Sequence, residues 1–183
     1  GIPVTDGTKV IDGRGKIAFP GFVNVHHHMY QIYTRDLPRI LSATDLFDWL
    51  RLNYKIWGYL DEEMIYLSAM VGLSSLIKTG CTLVSDMHYI IPEHENNRLI
   101  DAEIQAARDL GIRFHPTRGS VSFLDKPDAL APKNVSQSDE DILLDYERML
   151  NTYHDPSPFS MLRIGLAPVN PVTATESLLK ETI

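Results

Sequence analysis

Apolar positions along the chain follow two different periods, and the switches between them divide it into elements. Short apolar runs read as buried strands: Gly21-Phe22-Val23-Asn24-Val25, Cys81 to Asp86, Ile112 to Pro116 and Leu162 to Pro168. Between them the spacing changes to three and four residues. Leu46, Phe47, Leu50, Tyr54 and Trp57 mark a helix that Thr44 can cap. A second helix runs from Asp61 to Thr79 and stops at Gly80. A third occupies Arg98 to Leu110, with Leu99, Ile100, Ile104 and Ala107 in the repeating slots, Glu103 at the edge of the stripe and Gly111 as its stop. Ser138 with Asp141 forms a capping-box-like start for a helix carrying Ile142, Tyr146, Met149 and Tyr153, and Thr173 with Glu176 begins one more. Thr8 to Phe19 reads as two β segments around the turn-forming Asp12-Gly13-Arg14-Gly15, hence a hairpin outside the main fold. Ser120 to Gln137, rich in Pro, Asp, Lys and Ser, is a long loop with the character of a lid.

Strand and helix alternating in this way predict a parallel sheet covered by helices. A closed (β/α)8 barrel needs about 250 residues and eight such units, whereas this 183-residue sequence contains four. The expectation is an α/β fold made of the first four βα units of a TIM barrel, cut within the helix after strand four and preceded by a short N-terminal β segment. Residues 1–19 would close a small β-sandwich domain and residues 20–183 would form the N-terminal half of the barrel. A complete open four-stranded sheet is the alternative, but it would bury two imidazoles of the first strand beneath helices without evident partners.

Composition narrows the class. With 44% hydrophobic and 22% charged residues the chain has material for a core. No apolar run approaches the roughly 18 residues that cross a bilayer, and the start lacks the pattern of a secretory signal, so a cytoplasmic location without a membrane partner is expected. The single cysteine, Cys81, rules out an internal disulfide and reads as a buried small side chain. A net charge of -7 with no Lys/Arg cluster excludes a nucleic-acid polymer as partner.

The chemistry concentrates in His26-His27-His28, which follows the first apolar run. Alternation along a strand puts Asn24, His26 and His28 on one face, so two imidazoles point the same way, suited to one borderline divalent cation. His27 faces the other side as a structural residue. Paired core histidines are the competing reading, and a first-row metal needs three or four ligands, which the sequence does not clearly complete. Asp86 and His115 could point inward but are not counted as ligands; His94 and His154 read as surface or capping residues.

The segment Pro20-Gly21-Phe22-Val23-Asn24-Val25-His26-His27-His28, after Val10-Ile11-Asp12-Gly13-Arg14-Gly15-Lys16, resembles the amidohydrolase superfamily along the whole chain. The motifs at Met29-Tyr30-Gln31, Ser85-Asp86-Met87-His88-Tyr89, Pro116-Thr117-Arg118-Gly119-Ser120 and His154-Asp155-Pro156-Ser157-Pro158 are similar to its branch of 8-oxoguanine deaminases and hydroxyatrazine ethylaminohydrolases. The resemblance implies hydrolytic deamination of an aromatic nitrogen heterocycle, an 8-oxoguanine-like purine or a related pyrimidine or triazine, by metal-activated hydroxide with release of ammonia. It implies one divalent metal, zinc first and iron second, on His26 and His28. The remaining ligands and the proton-moving residues would lie beyond residue 183, so the chain alone would be incomplete. Other expectations are a sister amidohydrolase activity on guanine, S-adenosylhomocysteine or triazines, or a fragment that folds without catalysis. Gln31, His88, Tyr89 and Arg118 are the expected substrate contacts, each set on the rim just past a strand, where an amide or guanidinium can read ring atoms. The unpaired strand edges imply a homo-oligomer or a missing C-terminal half.

Overall fold

The computed structural model describes residues 5–95, 98–122, 130–171 and 173–183. Four parallel strands, β1 (Phe22–Asn24), β2 (Cys81–His88), β3 (Arg113–Ser120) and β4 (Gly165–Pro168), lie side by side in chain order. They form half of a barrel, with helices filling each crossover: α1 (Pro38–Leu41), α2 (Leu46–Trp57) and α3 (Glu62–Lys78) between β1 and β2, α4 (Leu99–Leu110) between β2 and β3, α5 (Asp139–Tyr153) between β3 and β4, and α6 (Glu176–Glu181) after β4.

The helices start and stop for identifiable reasons. Asp61 accepts the Met64 amide at 2.8 Å and Ser138 accepts the Asp141 amide at 3.1 Å, each satisfying an orphan N–H of the first turn. Two caps differ from the expected residues by a step. Asp45, not Thr44, caps α2 through the Asp48 amide, and Thr175, not Thr173, caps α6 through Leu178. In both places two oxygen-bearing side chains stand close together, and the pattern of hydrophobic spacing does not separate them. Gly111 ends α4 at φ +70°, a left-handed conformation that lets its N–H return to the Ala107 and Arg108 carbonyls.

On β2, Val84, Asp86 and His88 are buried while Leu83, Ser85 and Met87 are half-buried; on β3, Phe114, Pro116 and Arg118 are buried while His115 and Thr117 are half-buried. The first set faces the helices and the second lines the inner face of the half-barrel. The core is the helix-side layer, where Val84, Phe114, Ile104, Ile65, Leu73 and Trp57 meet.

Residues 5–21 contain no strand. Turns close at Thr5–Thr8 and Gly13–Lys16, but the segments on either side do not pair, and Val10, Ile11, Ile17 and Phe19 are exposed. The expected hairpin is therefore not formed: alternation supplied one apolar face, and no described element packs against it. The centre of the expected lid, residues 123–129, lies outside the described residues. Its two sides are joined, with the Gln137 amide donating to the Val121 carbonyl at 2.9 Å.

Candidate metal centre and groove

Strand β1 ends at Asn24, so the histidines leave the sheet and are held by its neighbour. The Met87 amide donates to the His27 carbonyl at 2.8 Å, extending the ladder by one bond. The Met87 carbonyl lies 2.6 Å from His28 Nδ1. A carbonyl only accepts, so Nδ1 carries the proton and Nε2 keeps its lone pair. That lone pair is 3.2 Å from His26 Nε2. Burial is the main cause that holds the His28 ring below its ordinary pKa, favouring the neutral form that ligates.

The donor set fits a cation that accepts imidazole. Two nitrogens at the zinc–nitrogen distance of about 2.0–2.1 Å and a tetrahedral angle stand about 3.3 Å apart, close to the 3.2 Å between the two Nε2 atoms. The Nδ1–H to backbone carbonyl bond is the outer contact that metal-binding histidines commonly use to fix their tautomer.

After His28 the chain turns sharply through a 3-10 segment, Met29–Thr34, wedged between α2, α3 and β2. Met29 and Tyr30 are buried, Tyr30 stacks edge-on against Trp57 at 5.0 Å, and Thr34 bonds Asn53 at 2.7 Å and Trp57 Nε1 at 3.2 Å. Beside it opens a groove of about 370 Å³ lined by His27, His28, Gln31, Arg35 and Trp49 among others. Gln31 thus shares a cavity wall with His28, and the Tyr89 ring meets the His28 ring edge-on at 5.5 Å.

Two expected substrate contacts sit elsewhere. β2 runs on through His88 and β3 through Ser120, so His88 and Arg118, paired in register, lie inside the strands on the helix side and not on the rim beyond them. Both are fully buried. Arg118 donates to Asp145 at 2.6 Å, to the Gly119 carbonyl at 2.6 Å and to Gln137 at 2.8 Å, tying β3 to α5. Asp145 also accepts from Arg148, which reaches Asp101 of α4 at 2.8 Å, so the guanidinium belongs to an ionic network between helices. The strand ends were misread because Pro116 and the polar Thr117-Arg118-Gly119 suggested a loop.

His88 belongs to a buried polar cluster with Asp86 and Glu103 of α4, whose ligand-type atoms lie within 4.8 Å of one another. His88 Nε2 is 2.8 Å from the Ile90 carbonyl and must donate to it, so a neutral ring accepts at Nδ1 from a protonated Glu103 at 2.7 Å. Burial drives both groups that way, pushing Glu103 up to about 8 and His88 down to about 4. Asp86 Oδ1 accepts the Met29 amide at 2.7 Å and stands 3.8 Å from His27 Nδ1. Asp86 Oδ2 and Glu103 Oε2 make no hydrogen bond, while the two carboxyls are near enough that each perturbs the other's proton affinity. Along the chain the visible sign of this cluster is Glu103, which interrupts the apolar stripe of α4. His94 and His154 occupy the expected positions, beside Glu95 at the surface and at the end of α5.

Comparisons with known proteins show the family and the fold. The amidohydrolase family pattern matches residues 17–183. Hydroxydechloroatrazine ethylaminohydrolase of Pseudomonas sp. strain ADP is 37% identical across 95% of this chain and 36% of its own length. The 8-oxoguanine deaminase of Pseudomonas aeruginosa is 35% identical across 92% of this chain and 37% of its own. A triazine hydrolase from Arthrobacter aurescens superposes with a TM-score of 0.85 at 30% identity, covering 94% of this chain and 39% of that one. A variant of the atrazine chlorohydrolase of Arthrobacter aurescens TC1, complexed with zinc and atraton, gives 0.84 at 30% identity. The chain spans little more than a third of the length of these relatives. Among the described residues no helix is long and apolar enough to cross a membrane. Parallel half-barrel, paired histidines at the end of its first strand and the match over residues 17–183 lead to one conclusion: this chain belongs to the amidohydrolase family, whose members are metal-dependent.

Proposed function

We propose that residues 20–183 supply the N-terminal half of a zinc-dependent aminohydrolase acting on an oxidised purine or a related aromatic nitrogen heterocycle, with His26 and His28 as metal ligands. The observation that carries the reading is the 3.2 Å separation of the two Nε2 atoms, with His28 Nδ1–H pinned to the Met87 carbonyl. A bound zinc ion supplies the Lewis acidity that makes water a nucleophile near neutral pH. The protein's own contribution is to bring the two Nε2 atoms together and, by burial, to favour the neutral form of the His28 ring. The overall change is hydrolytic: water adds to the ring carbon that bears the amine, the carbon–nitrogen bond breaks, and ammonia leaves once protonated by a general acid supplied from outside these residues.

Gln31, on the groove wall with His28, offers a donor and an acceptor to the edge of a flat heterocycle. Tyr89 is buried behind the His28 ring, which it meets edge-on at 5.5 Å, and its role is to hold that ring in place. His88 and Arg118 support the rim from behind and do not touch substrate. Residues 1–19 belong with the small β-domain, and a cytoplasmic location suits the chemistry.

The test is a substrate panel on the full-length protein, with ammonia release measured for 8-oxoguanine, isoxanthopterin and 5'-deoxyadenosine and ethylamine release for hydroxyatrazine, alongside metal analysis. An oxopurine deaminated fastest by protein holding one zinc per subunit supports the assignment. Stoichiometric zinc with no amine released from any heterocycle refutes it.

A further inference from the structure

The strand next to the histidines does more than pair with them. Three bonds from two consecutive residues of β2 grip three consecutive residues of the histidine segment: the Met87 amide to the His27 carbonyl at 2.8 Å, His28 Nδ1 to the Met87 carbonyl at 2.6 Å, and the Met29 amide to Asp86 Oδ1 at 2.7 Å. The first two take only backbone from β2 and would survive almost any residue at Met87. The third depends on one side chain. We propose that Asp86 is a positioning residue, whose Oδ1 fixes the start of the turn after His28 and so aims both Nε2 atoms at a single cation.

Several observations bear on this. Met29 is fully buried, so its amide has no water to fall back on if the carboxyl is removed. Asp86 is buried on the helix face of β2, and its Oδ1 reaches the histidine segment at the Met29 amide, 2.7 Å away, and at His27 Nδ1, 3.8 Å away, so it bears on the paired imidazoles through the chain on either side of His28. It is itself braced: Glu103 crowds it from α4 and the Thr117 hydroxyl bonds the Asp86 carbonyl at 3.0 Å, fixing the strand at that residue. An aspartate is a costly group to bury, and a merely apolar strand position would take Val or Leu. The role found for it is the bond at the turn; partners bonded directly to ligating histidines change metal affinity by about 10–100-fold when removed, and a group that acts through the adjoining backbone belongs at the lower end of that range.

The inference rests on His26 and His28 being the ligands, and the experiment separates the two claims. Zinc affinity is measured on the full-length protein by competition with a chromogenic chelator. Asp86→Ala should weaken zinc binding tenfold or more. Asp86→Asn, which keeps an acceptor for the Met29 amide, should stay within threefold of the parent. Val84→Ala, a core truncation on the same strand and face, should lower thermal stability yet stay within threefold for zinc. The proposal is overturned if Asp86→Ala binds zinc normally, if Asp86→Asn is as weak as Asp86→Ala, or if Val84→Ala is equally weak. Should Asp86→Ala fail to fold, Asp86→Asn decides by histidine ¹⁵N spectra of the metal-free protein. Retention of one ring with Nδ1–H and a bare Nε2 supports the role, and loss of that signature overturns it. A His26→Ala/His28→Ala variant that keeps full zinc affinity would instead defeat the metal assignment itself.

Discussion

Replacing Glu103 by Gln tests the buried cluster by pH. In the folded protein burial raises the Glu103 carboxyl from 4.5 to about 8, so folding retains a proton that the unfolded chain releases. A raised carboxyl contributes stability that is fully present below pH 4.5 and is lost as pH rises through about 8. The slope in between is about 1.4 kcal/mol per pH unit for one proton. Gln keeps an N–H for His88 Nδ1 and cannot ionise. Between about pH 5.5 and about pH 7.5, parent stability should therefore fall relative to Glu103→Gln by about 3 kcal/mol. His88 runs the opposite way, its pKa depressed from 6.5 to about 4, so its contribution is present above 6.5 and lost as pH falls. That contribution is common to both proteins and cancels in the difference, as does that of the raised Asp86 carboxyl, which faces a neutral side chain at position 103 in both proteins while Glu103 holds its proton. Urea denaturation followed by the fluorescence of Trp49 and Trp57 gives the stabilities. Two curves that stay parallel across this range, within about 0.5 kcal/mol, would show that Glu103 is ionised in the native state, and the proton assignment would fail.

Three further outcomes follow from the geometry. Asp145→Ala should destabilise the protein by about 3–5 kcal/mol, because it strands the buried Arg118 guanidinium; thermal unfolding of Asp145→Ala beside an Arg118→Met/Asp145→Leu pair, expected to recover most of the loss, checks it. Gly72→Ala on α3 would place a methyl 2.4 Å from Met29 Sδ and 2.6 Å from Ile32 Cδ1, flexible ends that must shift within a buried turn, so that overpacking, offset by the roughly 0.5–1 kcal/mol that Ala gains over Gly in a helix, leaves a net loss of about 1 kcal/mol, and a melting temperature above the parent's would contradict that contact. His26→Ala should abolish stoichiometric zinc in metal analysis while leaving the far-ultraviolet circular dichroism of the fold unchanged, since His26 is exposed and fills no core space.

The site was legible in unequal parts. His26 and His28 declared themselves because the two-residue period of an extended chain puts alternate side chains together whether or not the ladder continues, and here it stops at Asn24 with the pairing preserved. Helix ends at Asp61 and Gly111 were equally plain, since an N-cap oxygen and a left-handed glycine are local devices. His88 and Arg118 were misplaced because a strand's end depends on its neighbours. Pro116 and Gly119 look like loop residues until β2 on one side and β4 on the other supply partners.

The sequence by itself determined the alternation of strands and helices, and with it the parallel half-barrel, because hydrophobic period and capping chemistry act over a few residues. Which polar side chains meet behind the histidines was settled by the packing of distant segments. Asp86 and Glu103 are separated by a loop and part of a helix in the chain, and neither their meeting nor the burial that raises the proton affinity of both is encoded in a local pattern.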